Sequence, residues 1–480
     1  MAVVEREQLY IGGEWVDPAG RNRITVIEAA TEQPFGSVPE GTTADMDRAV
    51  AAGRRAFDET DWSRSDPAER AAILERIAAG LAARTDEIAP LISRENGSPA
   101  LFSTFGQVAA PQLVAQYYAG LVRDFAFAET RTGSMGAIDV WREPVGVVAA
   151  VVPWNVPLFV TMTKLAPALA AGCTVIVKPA PETPLDAFVL AEILTDAGVP
   201  EGVVSIVPAG REVGEHLVSH RGVDKVAFTG STAAGRRIAA VCGENLTRVS
   251  LELGGKSAAI VLDDADLEQT IPALLTSALM NNGQACIAQT RILASRSRYD
   301  EVAEALCEAV GTMSVGDPLD PAIAVGPLVA ERQRDRVERY LQIGQDEGAK
   351  IAIGGGRPAH LDRGWFVEPT VFVNVDNEMT IAREEIFGPV LVVIPFDNEA
   401  DAVRIANDSD YGLAGTVWTG DTDHGVEIAR RVRTGTYGVN MYTLDFAAPF
   451  GGYKASGIGR ELGPEGLATY LELKSVAVKR

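Results

Sequence analysis

The stretch Val145-Gly146-Val147-Val148-Ala149-Ala150-Val151-Val152-Pro153-Trp154-Asn155-Val156-Pro157 decides the fold. Its first eight residues form a short, β-branched, apolar run, the pattern of a strand buried on both faces. Outward from it the pattern repeats. Thr174 to Val177, Val203 to Val207, Lys225 to Phe228 and Val249 to Leu253 are further strand candidates, separated by amphipathic helical segments near 157 to 171, 184 to 197, 211 to 220 and 232 to 242. Continuous apolar strands alternating with helices indicate a parallel sheet covered on both faces, a doubly wound, nucleotide-binding type of architecture.

The alternation resumes after Lys256 and predicts a second α/β domain, with the boundary around Gly254-Gly255. Its strands are Ala258 to Leu262, Arg291 to Ala294, Val390 to Phe396, Gly415 to Trp418 and Tyr437 to Asn440; helices run to about Met280, over about 299 to 311 and 330 to 347, and to Asn407 and Val432. Toward the start, Leu9 to Val16 reads as a hairpin on Gly12-Gly13. Asp66-Pro67-Ala68-Glu69 opens a helix that runs to about Arg84. Further helices over about Asp86 to Asn96 and Ala100 to Phe125 complete an all-helical layer. Two segments fit neither domain: a turn at Thr132 to Gly136 followed by Ala137 to Arg142, and a tail, Thr469 to Lys479, that alternates like a strand. Open strands need partners, so these should pair with each other or with another subunit, and the chain should oligomerise.

The 480 residues exceed a single-core size and predict two main domains. A formal net charge of -22 disfavours nucleic acid and anionic membrane surfaces and favours small-molecule partners. The opening Met1-Ala2-Val3-Val4-Glu5-Arg6-Glu7 has no basic region followed by an apolar core, and no apolar run approaches a membrane span, so the expected address is the cytoplasm. Cys173, Cys242, Cys286 and Cys307 are too few and too scattered for a disulfide framework. The first, second and fourth sit in strand or helix patterns as small hydrophobes.

Cys286 differs, lying in the loop sequence Asn281-Asn282-Gly283-Gln284-Ala285-Cys286-Ile287-Ala288-Gln289-Thr290-Arg291. A free thiol titrates near ~8.5 and needs a base or a positive field to become a nucleophile. Taken alone it reads first as a structural bystander, and only the constellation around it carries the catalytic reading. Glu252, in Leu251-Glu252-Leu253-Gly254-Gly255-Lys256, ends an apolar strand beside a flexible Gly-Gly, a setting that raises a carboxyl pKa and suits a general base. Pro153 and Pro157 fix the backbone around Asn155, whose amide suits a developing oxyanion; a plain turn asparagine is the other reading. No GxGxxG follows any strand. Phe228-Thr229-Gly230-Ser231-Thr232-Ala233-Ala234-Gly235 offers a glycine-spaced turn into a helix for phosphate, or a plain strand-to-helix turn. Lys178 lies just past a strand end, where ligands bind in open sheets, unless it is a solvated surface lysine. No metal set is evident: His216 and His220 are spaced i, i+4 without a third ligand, and Gly354-Gly355-Gly356 reads as a turn.

In combination these motifs resemble the aldehyde dehydrogenase superfamily of NAD(P)-dependent, hydrolytic type. Pro153 to Pro157, Lys178-Pro179-Ala180, Phe228 to Gly235, Glu252 to Lys256, Gly283 to Cys286, Glu384-Glu385-Ile386-Phe387-Gly388-Pro389 and Pro449-Phe450-Gly451-Gly452-Tyr453-Lys454 follow its order and approximate spacing over nearly the whole chain. The resemblance implies an α/β fold of two doubly wound Rossmann-like domains with a small β oligomerisation extension. Residues 1–125 and 145–254 would bind cofactor, 255–467 would be catalytic, and 126–144 with 468–480 would form the intersubunit sheet of a homodimer or homotetramer. It implies oxidation of an aldehyde to the acid through a thiohemiacetal and thioester on Cys286. Asn155 and the Cys286 N–H would hold the oxyanion, Glu252 would activate water, and Glu461 would be a proton-relay partner. Cofactor contacts would come from Pro153, Trp154, Lys178, Ala180, Pro181, Gly230, Ser231, Gly235, Leu253, Glu385 and Phe387.

One position departs from the pattern. Many NAD-preferring members carry Glu three residues after the lysine; here that position is Pro181 and the glutamate is Glu182, so NAD is favoured over NADP only slightly. Tunnel walls are expected at Phe159, Met162, Ile287, Tyr442 and Phe446, whose apolar character points to an aliphatic or aromatic aldehyde rather than a dicarboxylic semialdehyde. Two alternatives are a CoA-acylating semialdehyde dehydrogenase, which typically lacks the hydrolytic glutamate, and a silent binding paralogue, which would have lost Cys286 or Glu252.

Overall fold

A computed structural model describes residues 4–478. Met1 to Val3, part of the start that reads as signal-free, and Lys479, the expected end of the tail strand, lie outside the described residues with Arg480.

The strand Val147–Val151 lies inside an eight-stranded sheet whose order is Gly457–Ile458, Arg248–Glu252, Lys225–Thr229, Val147–Val151, Thr174–Lys178, Val204–Ile206, Leu9–Ile11 and Glu14–Val16. The strands from Arg248–Glu252 to Val204–Ile206 are parallel. From Val147–Val151 the chain first steps outward to one side, then restarts on the other side with Lys225–Thr229. That reversal opens a crevice beyond the carboxyl ends of the two strands that flank it. All five residues of Val147–Val151 are buried, as the uninterrupted apolar run requires. The helix Pro157–Ala171 covers it, starting on a proline and stopping at Gly172 in left-handed backbone (φ 92).

A seven-stranded sheet follows, ordered Lys350–Ile353, Thr370–Val373, Val390–Phe396, Arg291–Ser295, Ala258–Val261, Gly415–Trp418 and Gly438–Val439. Lys350–Ile353 is antiparallel and the others are parallel. The two strands at 350–353 and 370–373 add to those expected; the first is half exposed at the sheet edge and only four residues long. The two segments expected to need partners pair with each other, Leu471–Ala477 running antiparallel to Gly136–Pro144, and Ala128–Gly133 extends that sheet.

The layer expected to be all helical is so, and ahead of it Arg23–Glu28 and Gln33–Pro39 form an unexpected antiparallel pair joined by Val4–Glu5. One expectation needs correction, because 100–125 is not one α-helix: Ala100–Phe102 leads into a π-helical segment, Ser103–Ala109, before Ala110–Asp124. Pro111 has no N–H for the Gln107 carbonyl, and the Ala110 N–H reaches back to Phe105 instead. Hydrophobic periodicity does not register a single widened turn.

Candidate active site

Cys286 lies between the turn Met280–Gly283 and the strand Arg291–Ser295. Asn281, Asn282 and Gly283 are all left-handed (φ 51, 60 and 73), a conformation open to Asn and Gly. A Cβ on Gly283 would stand 2.1 Å from the Gly388 carbonyl oxygen, so no side chain fits. Asn282 staples the turn: Nδ2 donates to the carbonyls of Gly97 (2.8 Å) and Pro327 (2.9 Å), and Oδ1 accepts from the Gly326 N–H (2.7 Å). Burial, then the charges of Glu385 and Glu252, push the Cys286 thiol up to about 12.

Asn155 stands beyond the end of Val147–Val151, on the crevice. Its Nδ2 donates to the Gln284 carbonyl at 2.8 Å, which uses one of two amide protons. Its own main-chain carbonyl accepts from Asn96 Nδ2 (3.0 Å), Gln107 Nε2 (2.9 Å) and Asn281 Nδ2 (2.9 Å).

Glu252 ends its strand, paired across the ladder with Gly457. Both carboxyl oxygens are buried without a hydrogen-bond partner. Burial first, then the charge of Glu461, hold this carboxyl well above its ordinary range. Glu461 is itself anchored, accepting from Lys164 Nζ (2.5 Å) and Thr163 Oγ1 (2.8 Å); Lys164 also donates to Thr229 Oγ1 at 2.6 Å. Lys164 was not singled out from the sequence, although a lysine inside the otherwise apolar Pro157–Ala171 run was the available signal.

Cys286, Asn155, Glu252 and Glu461 all line one cavity of about 260 Å³. Phe159, Ile287, Tyr442 and Phe446 wall it as expected, whereas Met162 does not: it is fully buried in the core of the first sheet. Its other walls include Phe102, Gly106, Ala110, Met280 and Leu444. No arginine or lysine is among the lining residues.

A second recess of about 170 Å³ adjoins Lys178; Val151, Val218, Phe228, Ile238 and Val241 give it apolar walls, and Arg211, Glu215 and Arg237 also line it. Lys178 Nζ donates to the carbonyls of Pro179 (2.9 Å) and Ala209 (2.8 Å), leaving a third proton, and burial lowers its pKa to about 8. Ala180 is buried and Pro181 half-buried beside it, while Glu182 is held by Arg332 at 2.6 Å. Gly230 and Ser231 lead into the helix Thr232–Asn245, with the Ser231 hydroxyl accepting from the Ala234 N–H (3.3 Å). Gly235 lets that helix approach Leu253, which a Cβ would meet at 2.5 Å. Glu385 Oε1 accepts from the Gly255 N–H (2.9 Å), and burial raises its carboxyl to about 7. Phe387, left-handed at φ 65, meets Trp154 edge to face at 5.3 Å, next to Pro153. His216 and His220 both approach Asp47, at 2.6 and 3.5 Å; among the described residues no group of three or more His, Cys, Asp or Glu is placed to hold a metal ion. Nor is any helix among them long and apolar enough to cross a membrane.

The protein-family model for the aldehyde dehydrogenase family matches residues 15–476. The chain belongs to the aldehyde dehydrogenase family. It is an oxidoreductase acting on aldehydes. Among other aldehyde dehydrogenases, it is 51% identical to the geranial dehydrogenase of Castellaniella defragrans over 474 residues, which covers 98% of this chain and 99% of that one. The crystal structure of a Mycobacterium tuberculosis aldehyde dehydrogenase complexed with NAD+ superposes with a TM-score of 0.98 at 51% identity, over 100% of this chain and 99% of that one. A mutant aldehyde dehydrogenase C of Pseudomonas syringae, complexed with NAD+ and octanal, superposes with a TM-score of 0.95 at 40% identity, over 98% and 96% of the two chains.

Proposed function

We propose that this aldehyde dehydrogenase oxidises an apolar aliphatic or aromatic aldehyde to its carboxylic acid with NAD or NADP, NAD being slightly favoured. One observation carries the reading: a thiol, an amide with a proton to spare and a carboxyl with both oxygens free line a single apolar cavity. Geranial and octanal, named for two relatives, are aldehydes of this class. A cavity lining without arginine or lysine offers no partner for a second carboxylate.

The residues beside the crevice fit a dinucleotide. The apolar recess suits a flat ring, the third Lys178 proton suits a ribose hydroxyl, and the turn at Gly230, Ser231 and Gly235 suits a diphosphate at a helix start. Pro153, Trp154, Leu253, Glu385 and Phe387 would hold the nicotinamide end, Ala180 and Pro181 the adenosine end. When bound, the nicotinamide would supply the hydride acceptor that the oxidation of the thiohemiacetal on Cys286 to a thioester requires.

The chain's own residues do the rest. A thiol at about 12 is protonated at neutral pH, so the carboxylate form of Glu252, the unpaired carboxyl on the cavity, takes its proton as Cys286 sulfur attacks the carbonyl. The spare Asn155 proton and the Cys286 N–H stabilise the oxyanion. Glu252 first hands the thiol proton on through Glu461, held by Lys164 and Thr163; as a carboxylate again it takes a proton from the water that attacks the thioester, and the C–S bond breaks to release the acid and the Cys286 thiolate. The carboxyl facing the cavity favours hydrolysis over transfer to CoA.

In this reading residues 1–125 and 145–254 bind the cofactor and 255–467 carry the nucleophile. Residues 126–144 and 468–480 build the contact of a cytoplasmic homodimer or homotetramer; Trp141 and Leu473, 40% and 68% exposed on the small sheet, are apolar surface for it. The deciding experiment assays a panel from butanal to geranial, benzaldehyde and succinic semialdehyde, with NAD and NADP in parallel and with or without CoA. Preference for the C8 to C10 and aromatic aldehydes with free acid as product is expected. Preference for the semialdehyde, or a requirement for CoA, would overturn the reading.

A further inference from the structure

We infer that Gln107 is a positioning residue for the oxyanion donor, acting with Asn96 and Asn281 as a clamp on the main-chain carbonyl of Asn155. The inference rests on Asn155 being that donor. Side-chain amides from three separate segments converge on this single oxygen, at 3.0, 2.9 and 2.9 Å, and all four residues are buried. A carbonyl has two lone pairs, so three donors exceed what satisfying it requires. The surplus immobilises the peptide plane that follows Asn155. With Cα fixed, the Gln284 carbonyl takes one Nδ2 proton at 2.8 Å and so sets the direction of the other.

The clamp is tied together internally. Gln107 Nε2 also donates to Ser98 Oγ (3.1 Å), Ser98 Oγ donates to Asn281 Oδ1 (2.6 Å), and the Ser98 N–H donates to Asn96 Oδ1 (2.9 Å). The amide orientations are dictated by chemistry, because the Asn155 carbonyl can only accept. Gln107 comes from the π-helical segment Ser103–Ala109, and widened turns of this kind concentrate at functional sites. The same turn presents Gly106 to the aldehyde cavity. One element therefore builds the substrate wall and steadies the group that meets the substrate's oxygen.

Gln107→Met keeps the length and volume and removes both donors. The expected result is a fall in kcat of about 10-fold, part of the 10²–10³ that loss of an oxyanion donor itself costs. The aldehyde KM, the dissociation constant for NAD+ and the rate of Cys286 alkylation by iodoacetamide should stay within about twofold of the unmodified enzyme. In an Asn155→Ala background the same substitution should lower kcat no further. Equal losses in both backgrounds, or an unchanged kcat in the first, would overturn the inference. Full activity in Asn155→Ala alone would instead remove the reading beneath it. Gln107→Glu guards against a variant that fails to fold: its carboxyl can donate to the Asn155 carbonyl only when protonated. Its kcat, relative to the unmodified enzyme, should rise as pH falls. A ratio that is flat with pH counts against the clamp.

Discussion

Asn155 and Glu252 follow or end parallel strands of one sheet and face one cavity, yet their surroundings are opposite. Around Asn155 the main-chain oxygen holds three hydrogen bonds and the side-chain amide a fourth. Around Glu252 neither oxygen holds any. A group that must only receive charge works best fixed in advance, because no reorganisation is then needed as charge develops. A general base is weakened by such commitment, since each hydrogen bond to its charged form would lower its pKa. In the proposed mechanism, saturation marks the oxyanion donor and vacancy the general base.

The contrast can be broken in order of severity. Cys286→Ala removes what both sides serve and should reduce aldehyde oxidation on the order of 10⁴-fold or more while leaving NAD+ binding intact; undiminished turnover would sink the mechanism. Glu252→Gln should slow steady turnover by about 10²–10⁴. If the first turnover survives, rapid mixing will show a burst of reduced cofactor followed by slow release. Loss of the burst as well would assign Glu252 to activating the thiol alone. Asn155→Ala should lower kcat by about 10²–10³ with no burst at all, since the oxyanion forms before hydride leaves.

Subtler changes sharpen the comparison. Because burial pushes both Cys286 and Glu252 toward their protonated forms and only the Glu252 carboxylate can act as base, kcat/KM should rise with pH. Glu461→Gln removes a charge that helps hold Glu252 up, so the rising limb should move to lower pH, by up to about one unit. Stability gives the smallest signal. A carboxyl whose folded pKa is raised supports folding below the ordinary carboxylate range and loses that support as pH rises through the folded value. Glu252→Gln should therefore be neutral to unfolding in acid and stabilising by about 1–3 kcal/mol in alkali, as read from denaturant curves at both pH values.

Much of the architecture was legible because its signals are local. The buried run at Val147–Val151, the proline and glycine that bound Pro157–Ala171, and the Gly-Gly hairpin at Leu9 to Val16 each act within a few residues. The strands Arg23–Glu28, Ala128–Gly133 and Lys350–Ile353 lack that continuous buried run, their burial being alternating or slight, although the first two pair with neighbours a short turn away. Met162 shows the same limit at the level of a face. Nearness to Asn155 in sequence suggested the tunnel, but helical geometry turned it into the core while Phe159 and Thr163 lined the cavity.

By itself, then, the amino-acid order determined the two α/β units, the family motifs and the presence of a thiol, an amide and a carboxyl, since residue type and short spacing carry all of these. Tertiary structure alone decided which groups share one cavity and which are held. Lys164 meets Glu461 across 297 residues, and Asn281 meets the Asn155 carbonyl across 126. Such pairings arise only when separate strands and loops are packed together, because a hydrogen bond reads distance in space and not along the chain.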